Sequence, residues 1–266
     1  MIKRPEPLRE TQSQTARRLR GLTRGAALAL AALLTVSAFY VGVMPETIAV
    51  AVKKRELPVY GVDRDDGAVA ISFDASWGGD KTVKLLDILD EYGIKTTFFL
   101  VDIWVNSYPE LVREIAARGH EIGNHSATHP HMSQLSESQI REELDTQADH
   151  VEALTGTRPT LFRPPYGDYN DRLVLAARGM GYEVIQWSVD SQDWKNRGVQ
   201  DVINRAKKAQ SGDIVLFHND AEFTVDALPE ILNDYAARGL RVVPVSEILL
   251  SGETVIDVQG KQHAKQ

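Results

Sequence analysis

A regular alternation of strand-like and helix-like patterns constrains this 266-residue chain more than any other feature. Residues 68–73 (AVAISF) form a short apolar run with branched side chains, the pattern of a buried strand. Residues 80–92 place Val83, Leu85, Leu86, Ile88 and Leu89 at helical spacing and meet a helix stop at Gly93. The pattern continues with strands expected at 96–101, 160–163, 183–188, 213–217 and 240–244, and helices at 109–118, 136–155, 171–179, 199–209 and 225–238. Pro109 falls in a first helical turn, where its missing N–H breaks no bond. Roughly seven strand–helix repeats imply a parallel sheet covered by helices, either a barrel or an open doubly wound sheet. No glycine-rich loop follows an expected strand, which weakens a nucleotide-binding version.

The N-terminal part follows a different logic. Residues 25–44 (GAALALAALLTVSAFYVGVM) contain no charge, and about 20 apolar residues suffice to span a bilayer core. Residues 1–24 carry seven basic and two acidic side chains, net +5, whereas the rest of the chain nets −12. Positive flanks stay in the cytoplasm, so everything after residue 44 is expected outside. Residues 25–44 are then either a signal anchor, giving a single-pass membrane protein, or a signal peptide cleaved near Val36-Ser37-Ala38, giving a secreted one. Residues 45–64, with Pro45 and Pro58, read as a linker, 65–250 as the folded domain, and 251–266 as a polar, frayed tail. The acidic domain argues against nucleic acid, which needs a basic face. The absence of cysteine excludes disulfides, thiolate metal sites and a cysteine nucleophile.

Chemistry-bearing residues gather at strand ends. Asp74 closes the first strand (ISFD), His125 and His129 follow 121–123 (NHSATH), and Arg163-Pro164-Pro165-Tyr166-Gly167 follows 160–163. Asp190-Ser191-Gln192-Asp193-Trp194 follows the next strand, and His218 ends the one after (LFHN). In a parallel α/β fold the C-terminal strand ends share one face, so five distant segments converge there. Two histidines four residues apart can offer both rings to one ion, and neutral imidazole suits Zn²⁺ or another first-row divalent metal. Surface histidines at that spacing are also common.

Together the five segments resemble the motifs of the polysaccharide deacetylases, the NodB-homology domain of carbohydrate esterase family four, over about residues 65–250. SFDAS is similar to the first motif of that family, NHSATH to its metal motif, RPPYG and DSQDW to the third and fourth, and LFHN to the fifth. The resemblance implies an α/β fold, a distorted seven-stranded (β/α) barrel, and hydrolysis of N-acetyl groups on a cell-wall or chitin-like glycan, peptidoglycan above all. By the same resemblance His125 and His129 hold a divalent metal, Zn²⁺ first and Co²⁺ as an alternative. Asp74 is then the general base, His218 the general acid, and Asp190 the carboxylate that orients His218. The Tyr166 N–H holds the oxyanion, and Arg163 fixes a site carboxylate. Trp77 and Trp194 line a sugar groove or pack as core.

One position departs from the family pattern. Its first motif carries two aspartates, the second a metal ligand, and this chain has Ala75 there. Waters could complete the coordination, Asp80 or His131 could substitute, or the protein could bind glycan without cleaving it. FDASWG resembles the sporulation-associated deacetylase subgroup, in which this replacement occurs. Three functions therefore stand: a glycan deacetylase, a glycan-binding relative, and an amidohydrolase of a small amide.

Overall fold

The computed structural model describes residues 25–38 and 55–265. The chain divides into two compact units, Met1–Arg55 and Glu56–Gln266. In the first, residues 25–38 form helix α1, whose side chains are all exposed. Its fourteen residues give about 21 Å of helix at 1.5 Å per residue, against roughly 30 Å of bilayer core. No helix among the described residues is long and apolar enough to cross a membrane. Residues 39–44 of the expected span, and the basic segment 1–24, lie outside the described residues.

The second unit is built around one parallel sheet. Its strands are β2 (Ala68–Ala75), β3 (Thr97–Leu100), β4 (Glu121–Asn124), β5 (Leu161–Phe162), β6 (Glu183–Val184), β7 (Val189–Asp190) and β8 (Ile214–His218), in the order β6-β5-β4-β3-β2-β8-β7. Strand β9 (Arg241–Val243) pairs with the lower end of β2. Strands β6 and β7 are consecutive pieces of one segment, so the same stretch of chain ends the sheet on both sides and the sheet curls into a distorted barrel. The expected strand 183–188 is thus split. Between the two pieces Gln186 N–H donates to the Val59 carbonyl at 2.7 Å, diverting the chain from its former partner.

All eight residues of β2 are buried, as a strand covered on both faces requires. Ile71, Phe73 and Ala75 join the core beneath the helices, while Ala68 and Ala70 join a second core with Phe99, Ile185 and Ile214 inside the barrel. Alternation along the strand therefore carries Asp74 to the barrel side and Ala75 to the helix side. The covering helices are α2 (Thr82–Glu91), α3 (Asp102–Ser107), α4 (Pro109–Ala117), α5 (Glu137–Thr155), α6 (Asp171–Gly179), α7 (Val199–Ala206), α8 (Thr224–Ala237) and the short α9 (Val245–Ile248). The expected boundaries agree within a few residues. Helix α3 was not expected, because six residues directly after a strand are too few to show a period. Helix α5 begins at a capping box in which Ser136 and Gln139 satisfy each other's backbone N–H groups.

Both flanks of the domain need correction. The linker expected at 45–64 contains β1 (Gly61–Val62), and Val59 and Val62 are fully buried, so the folded unit begins at Glu56. The tail expected to fray forms β10 (Thr254–Ile256) and β11 (Lys261–Ala264), and β11 pairs in parallel with β1. The tail is polar because one of its faces meets solvent, yet Gln262 is buried and its Oε1 accepts the Leu250 N–H.

Candidate active site

Asp74 and His218 are register partners on adjacent strands, which places the two expected proton-transfer groups side by side at the C-terminal mouth of the barrel. Arg163, fully buried after β5, donates from Nη1 to Asp74 Oδ1 at 2.7 Å and from Nη2 to the Gln186 carbonyl at 3.1 Å. Its guanidinium carbon lies 4.1 Å from the Phe99 ring centroid. Burial alone would raise the Asp74 carboxyl, but the Arg163 charge, aided by His125 and His218, outweighs it and holds Asp74 below the usual carboxylate range. The carboxylate expected to pair with Arg163 is thus Asp74 itself.

His125 Nδ1 lies 2.7 Å from the Arg163 carbonyl, an acceptor only, so Nδ1 carries the proton and Nε2 keeps its lone pair. That Nε2 is 3.5 Å from Asp74 Oδ2. The His125 and His129 ring centroids are 5.0 Å apart. Burial lowers the pKa of both rings, that of His129 to about 4, and so favours their neutral forms at pH 7. The two stand on a turn rather than on a helix, with Ser126 and His129 at φ 71° and 59°.

The donor set fits a divalent ion through these two imidazoles. His125 has a fixed tautomer that leaves the Nε2 lone pair available, and His129 Nδ1 is buried with no hydrogen-bond partner among the described residues. The position of the expected third donor holds Ala75, fully buried in the core beneath the helices. No group of three or more histidine, aspartate or glutamate side chains placed to hold a metal occurs among the described residues. Neither proposed substitute serves. Asp80 is exposed, and His131 stacks on Tyr166 at 4.5 Å with its Nδ1 3.5 Å from Asp168; neither lines the pocket.

His218 requires a correction. Its expected partner was Asp190, but its Nδ1 lies 2.8 Å from Asp193 Oδ1. Asp193, fully buried, also accepts from the His218 N–H at 2.8 Å, the Thr224 hydroxyl at 2.7 Å and the Trp194 N–H at 2.9 Å. The reason is register. Asp190 lies opposite Leu216, two residues short of His218, and a turn through Gln192 (φ 52°) brings Asp193 beneath the ring. Asp190 accepts from the Gln192 N–H at 2.8 Å and reaches His218 only by its charge. Burial would lower the pKa of His218, but the Asp193 hydrogen bond and charge, with Asp74 and Asp190, raise it. DSQDW contains two aspartates, and only the turn between them reveals which one holds the ring.

Asp74, His125, His129, Asp190 and His218 line a cavity of about 870 Å³, together with Trp77, Tyr166, Trp187 and Trp194. Trp77 and Trp194 are exposed, so they belong to the groove and not to the core. Tyr166 sits at φ 60° in the short turn Pro165–Gly167 with its ring exposed. Asp190, Asp220 and Glu222 add negative charge, and the Lys81 ammonium is turned onto the Asp220 carbonyl at 2.9 Å.

A distorted parallel barrel with a buried base, an imidazole acid and an imidazole pair at its mouth defines a hydrolase site of the metal-assisted kind. The comparisons agree. The polysaccharide deacetylase family model matches residues 61–185. A peptidoglycan-N-acetylglucosamine deacetylase of Bacillus cereus is 38% identical over 71% of this chain and 91% of its own length. The peptidoglycan-N-acetylmuramic acid deacetylase PdaC of Bacillus subtilis is 34% identical over 70% of this chain, which spans only 40% of that longer relative. Among solved structures, a Bacillus anthracis protein described as a pseudoenzyme of family CE4 superposes with a TM-score of 0.69 at 31% identity, over 72% of this chain and 68% of that one. A mutant of that protein is described as having restored enzymatic activity. The chain belongs to the polysaccharide deacetylase family, hydrolases that act on the carbon–nitrogen bond of N-acetyl groups and are generally metal-dependent.

Proposed function

We propose that this chain removes acetyl groups from N-acetylglucosamine units of peptidoglycan at the outer face of the cell membrane. The observation that carries the reading is the pair of oppositely prepared groups on one register line: Asp74, whose ionised form Arg163 favours, and His218, whose protonated form Asp193 favours. A Zn²⁺ or Co²⁺ ion held by His125 and His129 would supply Lewis-acid polarisation. Asp74 accepts the proton of the attacking water. The Tyr166 N–H, on its tight turn, stabilises the tetrahedral oxyanion. His218 delivers its proton from Nε2 to the leaving sugar nitrogen, while Asp193 steadies the imidazolium. Exposed Trp77 and Trp194 give flat faces for pyranose rings. The carboxylates Asp190, Asp220 and Glu222 disfavour a sugar unit that bears a free carboxylate and so suit the neutral hexosamine. A role in sporulation rests on the likeness of FDASWG alone. The membrane tether rests on the uncharged run 25–44 and the exposed leucines of α1.

The test is acetate release by the purified chain from N-acetylglucosamine oligomers and from peptidoglycan, with Zn²⁺ or Co²⁺ added. Release is expected with either ion; glycan binding without release under any ion would replace the deacetylase by the second reading, a glycan-binding protein. Ala75 and the likeness to a pseudoenzyme favour that reading.

A further inference from the structure

The turn that carries the two histidines is shaped by one side chain of the neighbouring helix. Glu143, in the second turn of α5, accepts the Ala127 N–H at 2.9 Å and the Thr128 N–H at 2.8 Å on Oε2. Its Oε1 accepts the Thr128 hydroxyl at 2.7 Å. Among the described residues, all hydrogen bonds of the Glu143 side chain go to this turn. On the opposite side the first amides of α3, Asp102 and Ile103, donate to the Ser126 and Ala127 carbonyls at 3.0 and 3.2 Å. Asn124 Oδ1 accepts the Ser126 N–H at 2.8 Å, and Ser126 Oγ accepts the His129 N–H at 3.0 Å. Every backbone N–H from Ser126 to His129 is thereby held by a side chain.

This frame opposes a backbone preference. Ser126 and His129 both lie in the left-handed region, which L-residues leave unless their surroundings over-determine it. Among the side chains that hold the turn, only Glu143 is charged, and a charged acceptor is the stronger one. With it removed, the Ala127 and Thr128 amides lose their partner and the turn can relax to ordinary φ, swinging His129 out of line with His125. We propose that Glu143 is the positioning residue of the His125–His129 pair, fixing the facing of His129 and thereby setting the affinity of the pair for a divalent ion. The affinity half of the statement rests on the metal-holding role given above; the orientation half does not.

The experiment uses the full chain with E143A, E143D and E143Q. Zinc affinity is read by chelator competition, the visible spectrum after Co²⁺ addition, and the ring-carbon NMR signals of His129 and His218 in metal-free protein. Removing a partner that orients a ligand typically weakens metal binding about 10–100-fold. E143A is expected in that range with a changed Co²⁺ spectrum. E143D, one methylene short, should lose at least tenfold, and E143Q, whose amide oxygen can still accept both N–H groups, much less. His129 ring signals should move in E143A while those of His218 stay. If E143A fails to fold, E143D decides. Parent-like zinc affinity and parent-like His129 signals in a folded E143A or E143D would overturn the proposal. A parent chain that binds neither ion would overturn the metal role instead, and the His129 signals would still decide what Glu143 does.

Discussion

The two histidine stations of the mouth use one residue type to opposite ends. On one side of Asp74, desolvation outweighs the nearby Asp74 carboxylate at His125 and His129, and both are held neutral. On the other side, the partly exposed His218 rests on the carboxylate of Asp193, and its protonated form is favoured. Desolvation acts in the same direction on all three; a single hydrogen-bonded carboxylate reverses the outcome for one. The neutral pair can offer lone pairs, and the charged ring can give up a proton. Environments that drive pKa values apart assign the roles that chemistry needs. The stations also differ in completeness, since Asp193 has every neighbour it needs whereas the pair has Ala75 where a third donor would stand.

Substitutions can sharpen or break this contrast. Asp74→Asn should have the largest effect, lowering kcat by about four orders of magnitude as expected for loss of a general base, with zinc affinity retained; rates equal to the parent would remove Asp74 from the mechanism. Arg163→Ala should cost about 3–5 kcal/mol of stability, because the Asp74 charge would be left buried and unpaired, and denaturant melts check this. Asp193→Asn should lower kcat about 100-fold. It should also shift the pH profile in a defined direction. His218 must be protonated to act, and its folded pKa is raised, so activity is lost as pH rises through that pKa. Without the Asp193 charge the alkaline limb moves to lower pH; an unmoved limb would show that the acid is another group. Ala75→Asp should tighten zinc binding about tenfold, at some cost in thermal midpoint, because the carboxylate must leave the core on the helix side to reach the mouth. Titration calorimetry reads the affinity, and an unchanged value would mean that the carboxylate stays in that core. Asp190→Asn should change kcat less than about threefold while nudging the alkaline limb down, since its influence is by charge at a distance. A loss equal to that of Asp193→Asn would restore Asp190 as the orienting group.

Much of this arrangement was legible in the chain. Continuous apolar runs place the strands because a parallel sheet is buried on both faces, and helical spacings place the helices that cover it. Asp74, Arg163 and His218 were findable because strand ends of a parallel sheet meet at one mouth. What could not be read depends on where chain segments cross. Asp193 lies three residues from the expected Asp190, and only the left-handed Gln192 turn decides between them. Glu143 is an ordinary acidic residue of a helix until the histidine turn is folded against it. The tail resisted because β11 is polar and its partner β1 lies about 200 residues earlier, a pairing no local pattern carries.

The doubled use of segment 183–190 has a dynamic consequence. The stretch that closes the barrel also supplies the Gln186 carbonyl beneath Arg163, the Trp187 wall and the Asp190 rim. Any breathing motion that frees it slackens the ionic clamp on the base in the same event. Solvent exchange at the amides of Ile185, Gln186 and Ser188, which donate to Phe162, Val59 and Ile214, therefore reports the lifetime of the competent site as well as the tightness of the barrel.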